Sequence, residues 1–316
     1  MNEMTAVIDI ADLHKSYGTH RALRGIDLHL APGEVYGFIG PNGAGKTTTM
    51  RILLDILRPD RGTVRLLGQD PRTGGATLRS RIGYLPGELR LDGRYDVATL
   101  LDHYLDLSTH EQKRRLPSWI PLAERLGLDP TRQVRGLSKG NKQKVGLVQA
   151  FMHQPELLIL DEPTSGLDPL VQAEFITMVR EVQQDGRTIF LSSHVLSEVE
   201  HTADRVAILR EGLIAQESTV DELRHSLGLR LRLSLAEKVG TEHFIGLPGV
   251  RTVTVAAPRP AAQAETTDLV LDLDGTPDAV VKTASRYTVL SLEAERPDLE
   301  EVVMRLYTHD DQEGQR

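Results

Sequence analysis

One short segment constrains the fold of this chain more than any other feature of the sequence. Its residues fill the pattern G-x-x-x-x-G-K-[ST] completely, with one more threonine after it, and are Gly40, Pro41, Asn42, Gly43, Ala44, Gly45, Lys46, Thr47 and Thr48. The apolar segment 34–39 before it is typical of a buried strand, and the segment 47–57 after it is typical of a helix. Because this pattern binds phosphate where it joins a strand to a helix, the sequence predicts an α/β fold with a phosphate-binding loop.

The residue types of this loop fit the chemistry of a nucleoside triphosphate, and all of them are candidate nucleotide-binding residues. Glycines allow the backbone to turn tightly, so that its N–H groups point at phosphate oxygens. The N-terminus of the following helix adds a partial positive charge. We therefore expect Lys46 to reach the β- and γ-phosphates of the nucleotide and the hydroxyl of Thr47 to bind Mg²⁺.

A second apolar run, at 157–160, ends in two acidic residues, Asp161 and Glu162. Consecutive branched apolar residues are typical of a strand that is buried on both faces of a parallel sheet, and such sheets bind ligands at the carboxyl ends of their strands. We expect Asp161 to hold Mg²⁺, directly or through water, and Glu162 to orient or deprotonate the water that attacks the γ-phosphate. Taken alone this would be an acidic turn, and the phosphate loop upstream favours the catalytic interpretation.

Residues 137–143 have the sequence Leu-Ser-Lys-Gly-Asn-Lys-Gln. Together with the two segments above, they resemble the ATP-binding cassette (ABC) ATPases. The signature motif of that family is usually LSGGQ, and this chain has Lys139 and Asn141 at its third and fifth positions. The resemblance implies that Ser138 contacts the phosphate with its hydroxyl and Gly140 with its backbone N–H. Without the resemblance, Ser138 would be interpreted as the N-cap of a helix.

Three further segments match the same family in the same order along the chain. The resemblance implies that Tyr17 stacks on adenine, that residues 165–168 form the D-loop at a dimer interface, and that His194 is the switch histidine, which contacts the γ-phosphate and takes part in catalysis with Lys46 and Glu162. Taken alone, Tyr17 would be interpreted as a packed surface tyrosine and His194 as a loop residue.

A further position, outside the signature motif, departs clearly from the family pattern. The family normally has glutamine after the segment that corresponds to 82–86, whereas this chain continues with Gly87 and Glu88. Glycine has no side chain that can bind Mg²⁺ or position water. Glu88 could substitute from one residue further on, but its negative charge would change the site.

The composition excludes several classes of function. The chain contains no cysteine, which excludes disulfides, thiolate metal sites and cysteine nucleophiles. The net charge of −8 argues against binding to nucleic acid through attraction to its phosphates, so we expect no nucleic-acid partner. The N-terminus lacks a signal-peptide pattern, and no apolar run approaches the length of a membrane span. We therefore expect a cytoplasmic protein that reaches the inner face of the cell membrane only through a partner.

The length of 316 residues predicts about two domains. We expect a P-loop NTPase core of the ABC ATPase type at 6–220, with a helical subdomain inserted at about 88–136. In the remainder, Leu229, Leu231, Leu233 and Leu235 alternate with polar residues, as in a strand with one exposed face. Further strands are predicted at 250–255, 269–273 and 287–293, helices at 276–286 and 297–307, and a loop at 258–267. Their order resembles a small α+β, ferredoxin-like accessory domain at 225–310.

The family resemblance implies a function and a set of partners. Two copies of the chain would form a homodimer around ATP and Mg²⁺ and drive a separate transmembrane permease. The variant signature motif resembles stand-alone cassettes of bacterial drug and antibiotic exporters. The alternatives are a lipid or polysaccharide exporter, an importer, and an ABC protein that acts on ribosomes or DNA.

Overall fold

The computed structural model describes residues 6–107, 118–226, 228–256 and 266–295. The chain divides into two compact units, Met1–Thr219 and Val220–Arg316. The strands of the first unit are β1 Ile8–Tyr17, β2 His20–Leu30, β3 Val35–Ile39, β4 Arg61–Leu66, β5 Ile82–Leu85, β6 Leu157–Asp161, β7 Thr188–Ser193, β8 Arg205–Arg210 and β9 Leu213–Thr219. Its helices are α1 Lys46–Leu53, α2 Gly75–Arg79, α3 Val97–Asp106, α4 Ile120–Arg125, α5 Lys139–Phe151, α6 Pro169–Gln184 and α7 Leu196–Thr202.

A six-stranded sheet in the order β5-β6-β7-β3-β8-β9 forms the centre of the first unit, and β9 is its antiparallel edge strand. The other neighbours are parallel, and β3, β6 and β7 are buried along their whole length. This burial explains their continuous apolar sequences. In the core, the ring of Phe190 lies 5.3 Å from that of Phe38 and 6.0 Å from that of Tyr36 between ring centroids.

Register brings the carboxyl ends of four neighbouring strands to one edge of this sheet. Ile39, at the end of β3, is paired with Ser193 on β7, and Asp161, at the end of β6, is paired with Ser192. Leu85, at the end of β5, is paired with Leu160. The phosphate-loop segment, the acidic pair and the Gly87 segment therefore all leave the sheet at the same edge, where open α/β sheets bind ligands.

A separate three-stranded antiparallel sheet has the order β2-β1-β4. The alternation of buried and exposed residues on β2 shows that one face of this sheet packs on the core. Tyr17 is the last residue of β1 and is paired with His20 at the start of β2.

The segment between β5 and β6 contains helices α3, α4 and α5 and a short 3₁₀ helix, Val134–Gly136. The helical subdomain was predicted from about residue 88, and its first helix, α3, begins at Val97. Asp96 caps this helix by accepting a hydrogen bond of 2.7 Å from the backbone N–H of Thr99. Trp119 is a packed ring, as expected for a large aromatic residue, and its Nε1 donates to Asp102 at 2.7 Å.

One helix boundary at the candidate site differs from the prediction, and another agrees with it. Helix α1 ends at Leu53 rather than at residue 57, and Asp55 beyond it has a left-handed φ of 56° that a helix does not continue through. Helix α5 begins directly after Ser138, whose side chain accepts from the backbone N–H of Asn141 at 3.3 Å. The N-cap interpretation of Ser138 is confirmed by this bond.

The second unit contains helix α8 Val220–Ser226, strands β10 Leu229–Leu235, β11 Val250–Val255, β12 Thr267–Leu273 and β13 Val289–Glu295, helix α9 Asp278–Ala284 and a 3₁₀ helix at Thr241–His243. Its sheet is antiparallel, in the order β11-β12-β10-β13. The leucines of β12 and Leu231, Leu233 and Leu235 of β10 are buried, together with Val280 and Ala284 of α9, and the partly buried Leu229 packs against them. The predicted helix at 297–307 and most of the predicted loop at 258–267 lie outside the described residues.

None of the helices in the described ranges combines the length and the hydropathy that crossing a membrane requires.

Candidate functional site

The loop between β3 and α1 has the backbone that its glycines predict. Gly43 and Gly45 have positive φ angles of 84° and 115°. A Cβ atom on Gly45 would lie 2.6 Å from the carbonyl oxygen of Ala22, and one on Gly40 would lie 2.4 Å from that of Leu209. A side chain at either position would clash with a neighbouring backbone carbonyl, so both positions require glycine. Gly45 also requires it because of its positive φ angle. The loop ends at the N-terminus of α1, which is suited to an anion.

The side chain of Lys46 is enclosed by this loop and is only 6% exposed. Its Nζ donates to the carbonyl oxygens of Gly40 at 2.6 Å and Pro41 at 3.3 Å, and it lies 3.7 Å from Oε1 of Glu162. Burial lowers the pKa of Lys46, and the negative charges of Glu162 and Asp161 oppose that effect. The loop thus holds a desolvated cation, which attracts phosphate oxygens more strongly than an exposed one.

The carboxylate of Asp161 is fully buried at the end of β6 and joins two neighbouring elements. Its Oδ2 accepts from Oγ1 of Thr47 at 2.7 Å, and its Oδ1 accepts from Oγ of Ser192 at 2.5 Å. A hydroxyl beside a single carboxylate fits Mg²⁺, which is commonly bound by one or two carboxylates, substrate phosphates and water. Within the described residues, no three His, Cys, Asp or Glu side chains are grouped so that they could hold a metal ion.

Glu162 adopts a backbone conformation that is rare for a residue with a side chain, with φ of 52°. Its backbone N–H lies 3.2 Å from both the carbonyl oxygen and the Oγ of Ser192. Its carboxylate lies between His194 and Lys46. Oε2 is 2.5 Å from Nδ1 of His194, and Oε1 is 3.7 Å from Nζ of Lys46. His194 is half exposed, at 53%, so it can contact a ligand as well as Glu162.

Gly87, the position that departs from the family pattern, lies directly against the buried carboxylate. A Cβ atom at this position would be 3.0 Å from Oδ2 of Asp161, the oxygen that Thr47 also contacts. The side chain of Glu88 is exposed. Close packing against Asp161 therefore favours glycine at this position, which the sequence alone did not reveal.

The start of α5 packs against residues 165 and 166 of the same chain. A Cβ atom on Gly140 would lie 2.4 Å from the carbonyl oxygen of Gly166, so glycine is required there in addition to any role of its N–H. Nζ of Lys139 donates to Oγ of Ser165 at 2.8 Å. Lys139, one of the two variant residues of the signature motif, therefore has a partner within its own chain.

Sequence reasoning missed Gln143, which lies on α5 and is 4% exposed. Its Nε2 donates to two backbone carbonyl oxygens, those of Glu162 and Pro163, each at 3.0 Å. The signal that could have identified it is a polar residue at a position that the apolar spacing of the helix assigns to the buried face.

The predicted site residues fall into one connected group and two separate ones. Lys46, Thr47, Asp161, Glu162 and His194 are linked by the contacts above. Ser138 and Gly140 lie at the N-terminus of α5. The ring of Tyr17 is 48% exposed at the end of β1, with Nζ of Lys15 5.9 Å from its centroid.

The end of β1, which carries Tyr17, is fixed by Asp60 from the segment after α1. Oδ1 of Asp60 accepts from Nζ of Lys15 at 2.8 Å, and Oδ2 accepts from the backbone N–H of Ser16 at 2.7 Å. These bonds lower the pKa of Asp60, and they tie the end of β1 to the segment that follows the phosphate-loop helix.

Comparisons with known proteins agree with this geometry. Residues 23–165 match the family described as ABC transporter. The daunorubicin resistance ATP-binding protein DrrA3 of Streptomyces coeruleorubidus is 34% identical over 307 residues, which cover 96% of each chain. The bacitracin transport ATP-binding protein BcrA of Enterococcus faecalis is 36% identical, over 70% of this chain and 71% of that protein. A solved structure of the ATP-binding subunit of an ABC transporter is 32% identical, with a TM-score of 0.63 over 70% of this chain and 92% of that one.

We expect Gly140→Ala to lower ATP hydrolysis by about a hundredfold, the cost of misplacing reacting groups by roughly 1 Å. The reason is that the added Cβ meets a backbone oxygen, which cannot rotate away as a side chain can. Steady-state phosphate release measures the effect. Gly136→Ala is the matched control, since no atom lies within 4 Å of a Cβ at that position. Equal rates for the two variants would contradict the packing argument.

Gly87→Gln introduces the residue type that is usual in the family, but we expect it to lower the hydrolysis rate, by about tenfold, rather than raise it. The added side chain would displace Asp161 by a few tenths of an ångström. A displacement of roughly 1 Å lowers a rate by about a hundredfold, so we expect this smaller one to have a smaller effect. The rate is measured over a series of Mg²⁺ concentrations beside Gly136→Gln. A higher hydrolysis rate would contradict this prediction, because it would show that Asp161 can shift to accommodate the new side chain while the site stays active.

Proposed function

Because this chain belongs to the ABC transporter family and is an ATPase, we propose that it is the nucleotide-binding subunit of an exporter and that it works as a dimer on a separate permease. The observation that supports this best is the alignment with the daunorubicin resistance protein, which spans 96% of both chains and so includes the second unit. The permease, not this chain, would select the cargo. On the names of its relatives, we propose that the cargo is a drug or antibiotic.

In this proposal, the residues at the sheet edge bind and orient the triphosphate. The loop N–H groups, the N-terminus of α1 and Lys46 supply positive charge to the β- and γ-phosphates. The burial of Lys46 makes that charge effective, and the ring of Tyr17 is available to stack on the adenine base. We assign these roles to residues 40–48 and to Tyr17.

Thr47 and Asp161 would hold Mg²⁺ together with oxygens of the nucleotide. When bound, the ion would neutralise charge on the β- and γ-phosphates. Ser192 would keep the Asp161 carboxylate in its orientation through the 2.5 Å bond to Oδ1, which leaves Oδ2 facing Thr47.

Hydrolysis itself would be carried by Glu162 and His194. The carboxylate of Glu162 orients the attacking water and accepts its proton as the water oxygen bonds to the γ-phosphorus. The bond from that phosphorus to the bridging oxygen then breaks, which yields ADP and inorganic phosphate. His194, held against Oε2 of Glu162, contacts the γ-phosphate from its exposed side.

The dimer would complete each site from two chains. Ser138, the N–H of Gly140 and the N-terminus of α5 would face the γ-phosphate bound to the partner subunit, in the arrangement that the family resemblance implies. Loss of the γ-phosphate would remove contacts that join the two chains, and the dimer would open. That change in population would drive the permease between two conformations.

The helices of residues 97–136 and the second unit would serve contacts with other subunits. The strand order β11-β12-β10-β13, with all neighbours antiparallel, supports the assignment of the second unit as ferredoxin-like. We propose that the domain boundaries are those of the sequence prediction, 6–220 and 225–310, and that binding to the permease holds the chain at the inner face of the membrane.

Glu162→Gln tests the hydrolysis step and the dimer together. The amide cannot accept the proton, so we expect hydrolysis to fall by about a hundredfold or more. ATP with Mg²⁺ should then convert the chain from monomer to dimer, as measured by light scattering after size-exclusion chromatography. Lys46→Ala should abolish both ATP hydrolysis and the ATP-dependent dimer. Glu211→Gln, on an exposed acidic residue, should leave the hydrolysis rate and the oligomeric state of the wild-type chain unchanged. An ATP-loaded Glu162→Gln protein that stays monomeric contradicts the proposal.

The exporter assignment is tested by co-purification of the tagged chain from membranes of its own source. We expect a polytopic permease to be recovered with it, in an amount that depends on the intact Lys46 side chain. Recovery of ribosomes or DNA in place of a permease would reject the assignment.

A further inference from the structure

The backbone of Glu162 needs support from its surroundings. A left-handed φ is strained in a residue with a side chain and persists only where neighbouring contacts fix it. The N–H of Glu162 is fixed from the sheet side by Ser192 of β7. Its carbonyl oxygen accepts from two donors outside the sheet, the backbone N–H of Ser165 at 3.2 Å and one side chain of α5.

The donor from α5 is the side-chain amide of Gln143. One Nε2 atom donates to the carbonyl oxygens of both Glu162 and Pro163, at 3.0 Å each. Gln143 is 4% exposed, so water cannot easily replace it. The two carbonyl oxygens belong to successive residues and converge on a single nitrogen. This convergence fixes the turn through which the Glu162 side chain reaches Lys46 and His194.

Gln143 also lies on the helix that begins with the signature motif. It is five residues after Ser138 on the 13-residue helix α5, which places it about 7 Å along the axis from the helix start. Two more contacts join the same helix to the chain that follows Glu162. These are the bond from Lys139 to Ser165 and the close approach of Gly140 to Gly166. A shift of the first turns of α5 is therefore transmitted directly to residues 162–166.

We propose that Gln143 is a positioning residue that couples the signature helix of each chain to the catalytic carboxylate of that same chain. The inference rests on the proposed dimer, in which the start of α5 faces the nucleotide bound to the partner subunit. Occupation of one ATP site then changes the orientation of Glu162 in the other site. The two sites of the dimer hydrolyse ATP cooperatively because of this side chain.

Gln143→Met tests the coupling, because methionine keeps the length and volume of glutamine and removes the donor. We expect kcat to fall by about ten- to a hundredfold, while KM for ATP changes by less than about threefold, because the binding residues are untouched and only the carboxylate is misplaced. The Hill coefficient for ATP should fall towards about 1. Gln149→Met, on the same helix, is the matched control and should retain the values of the wild-type chain.

Two further measurements keep the result decisive. Thermal unfolding is followed for each variant, and rates are compared at a temperature where all of them are folded. If Gln143→Met does not fold, Gln143→Asn, which keeps the amide but is too short by one methylene to reach both carbonyl oxygens, is measured in its place, and a kcat effect without a KM effect is again required.

A rise in KM alone, a kcat within about twofold of wild type, or a Hill coefficient equal to that of the wild-type chain overturns the coupling role. If the wild-type chain itself fails to hydrolyse ATP, the proposed function fails and not this inference alone.

Discussion

The buried carboxylate of Asp161 is the group on which the rest of the site depends. It has no contact with solvent, and each of its oxygens accepts a hydroxyl hydrogen bond from a different element, Thr47 of α1 and Ser192 of β7. A buried carboxylate is costly unless its oxygens are hydrogen-bonded, so these two bonds are a condition of the fold as well as of the site. They set the distance between the phosphate-loop helix and the strand that ends in Glu162.

Close approach between backbone segments gives the site its second constraint. Gly40 and Gly45 allow the phosphate loop to lie against the carbonyl groups of Leu209 and Ala22, and Gly140 allows α5 to lie against Gly166. At each of these positions a methyl group would meet a backbone oxygen at 2.4–2.6 Å. The sequence pattern assigns these glycines to ligand contact, and the structure shows that they also allow backbone segments of the same chain to pack closely.

The sequence was sufficient for the central strands and for the connected group of site residues. Apolar runs such as 157–160 marked strands buried on both faces, and parallel register then placed Asp161 beside Ser192. It was not sufficient where a single side-chain contact decides the outcome. Asp96 begins α3 nine residues after Gly87, and the role of Gln143 depends on a turn that local pattern does not describe. Helix periodicity carries no information about such long-range partners.

Two of the departures from the family pattern, Lys139 and Gly87, have contacts within the chain. Lys139 donates to Ser165, and its aliphatic stem lies 3.4 Å from where a Cβ of Gly166 would be, so the variant motif adds a link between α5 and the segment after Glu162. Gly87 removes a side chain from the surface of Asp161. The first residue adds a contact to the backbone that carries Glu162, and the second leaves the face of the Asp161 carboxylate uncovered. The two carboxylates are therefore supported by different elements. The segment after Glu162 contacts α5, whereas the Asp161 carboxylate is held by Thr47 and Ser192, so the proposed coupling would move Glu162 without moving Asp161.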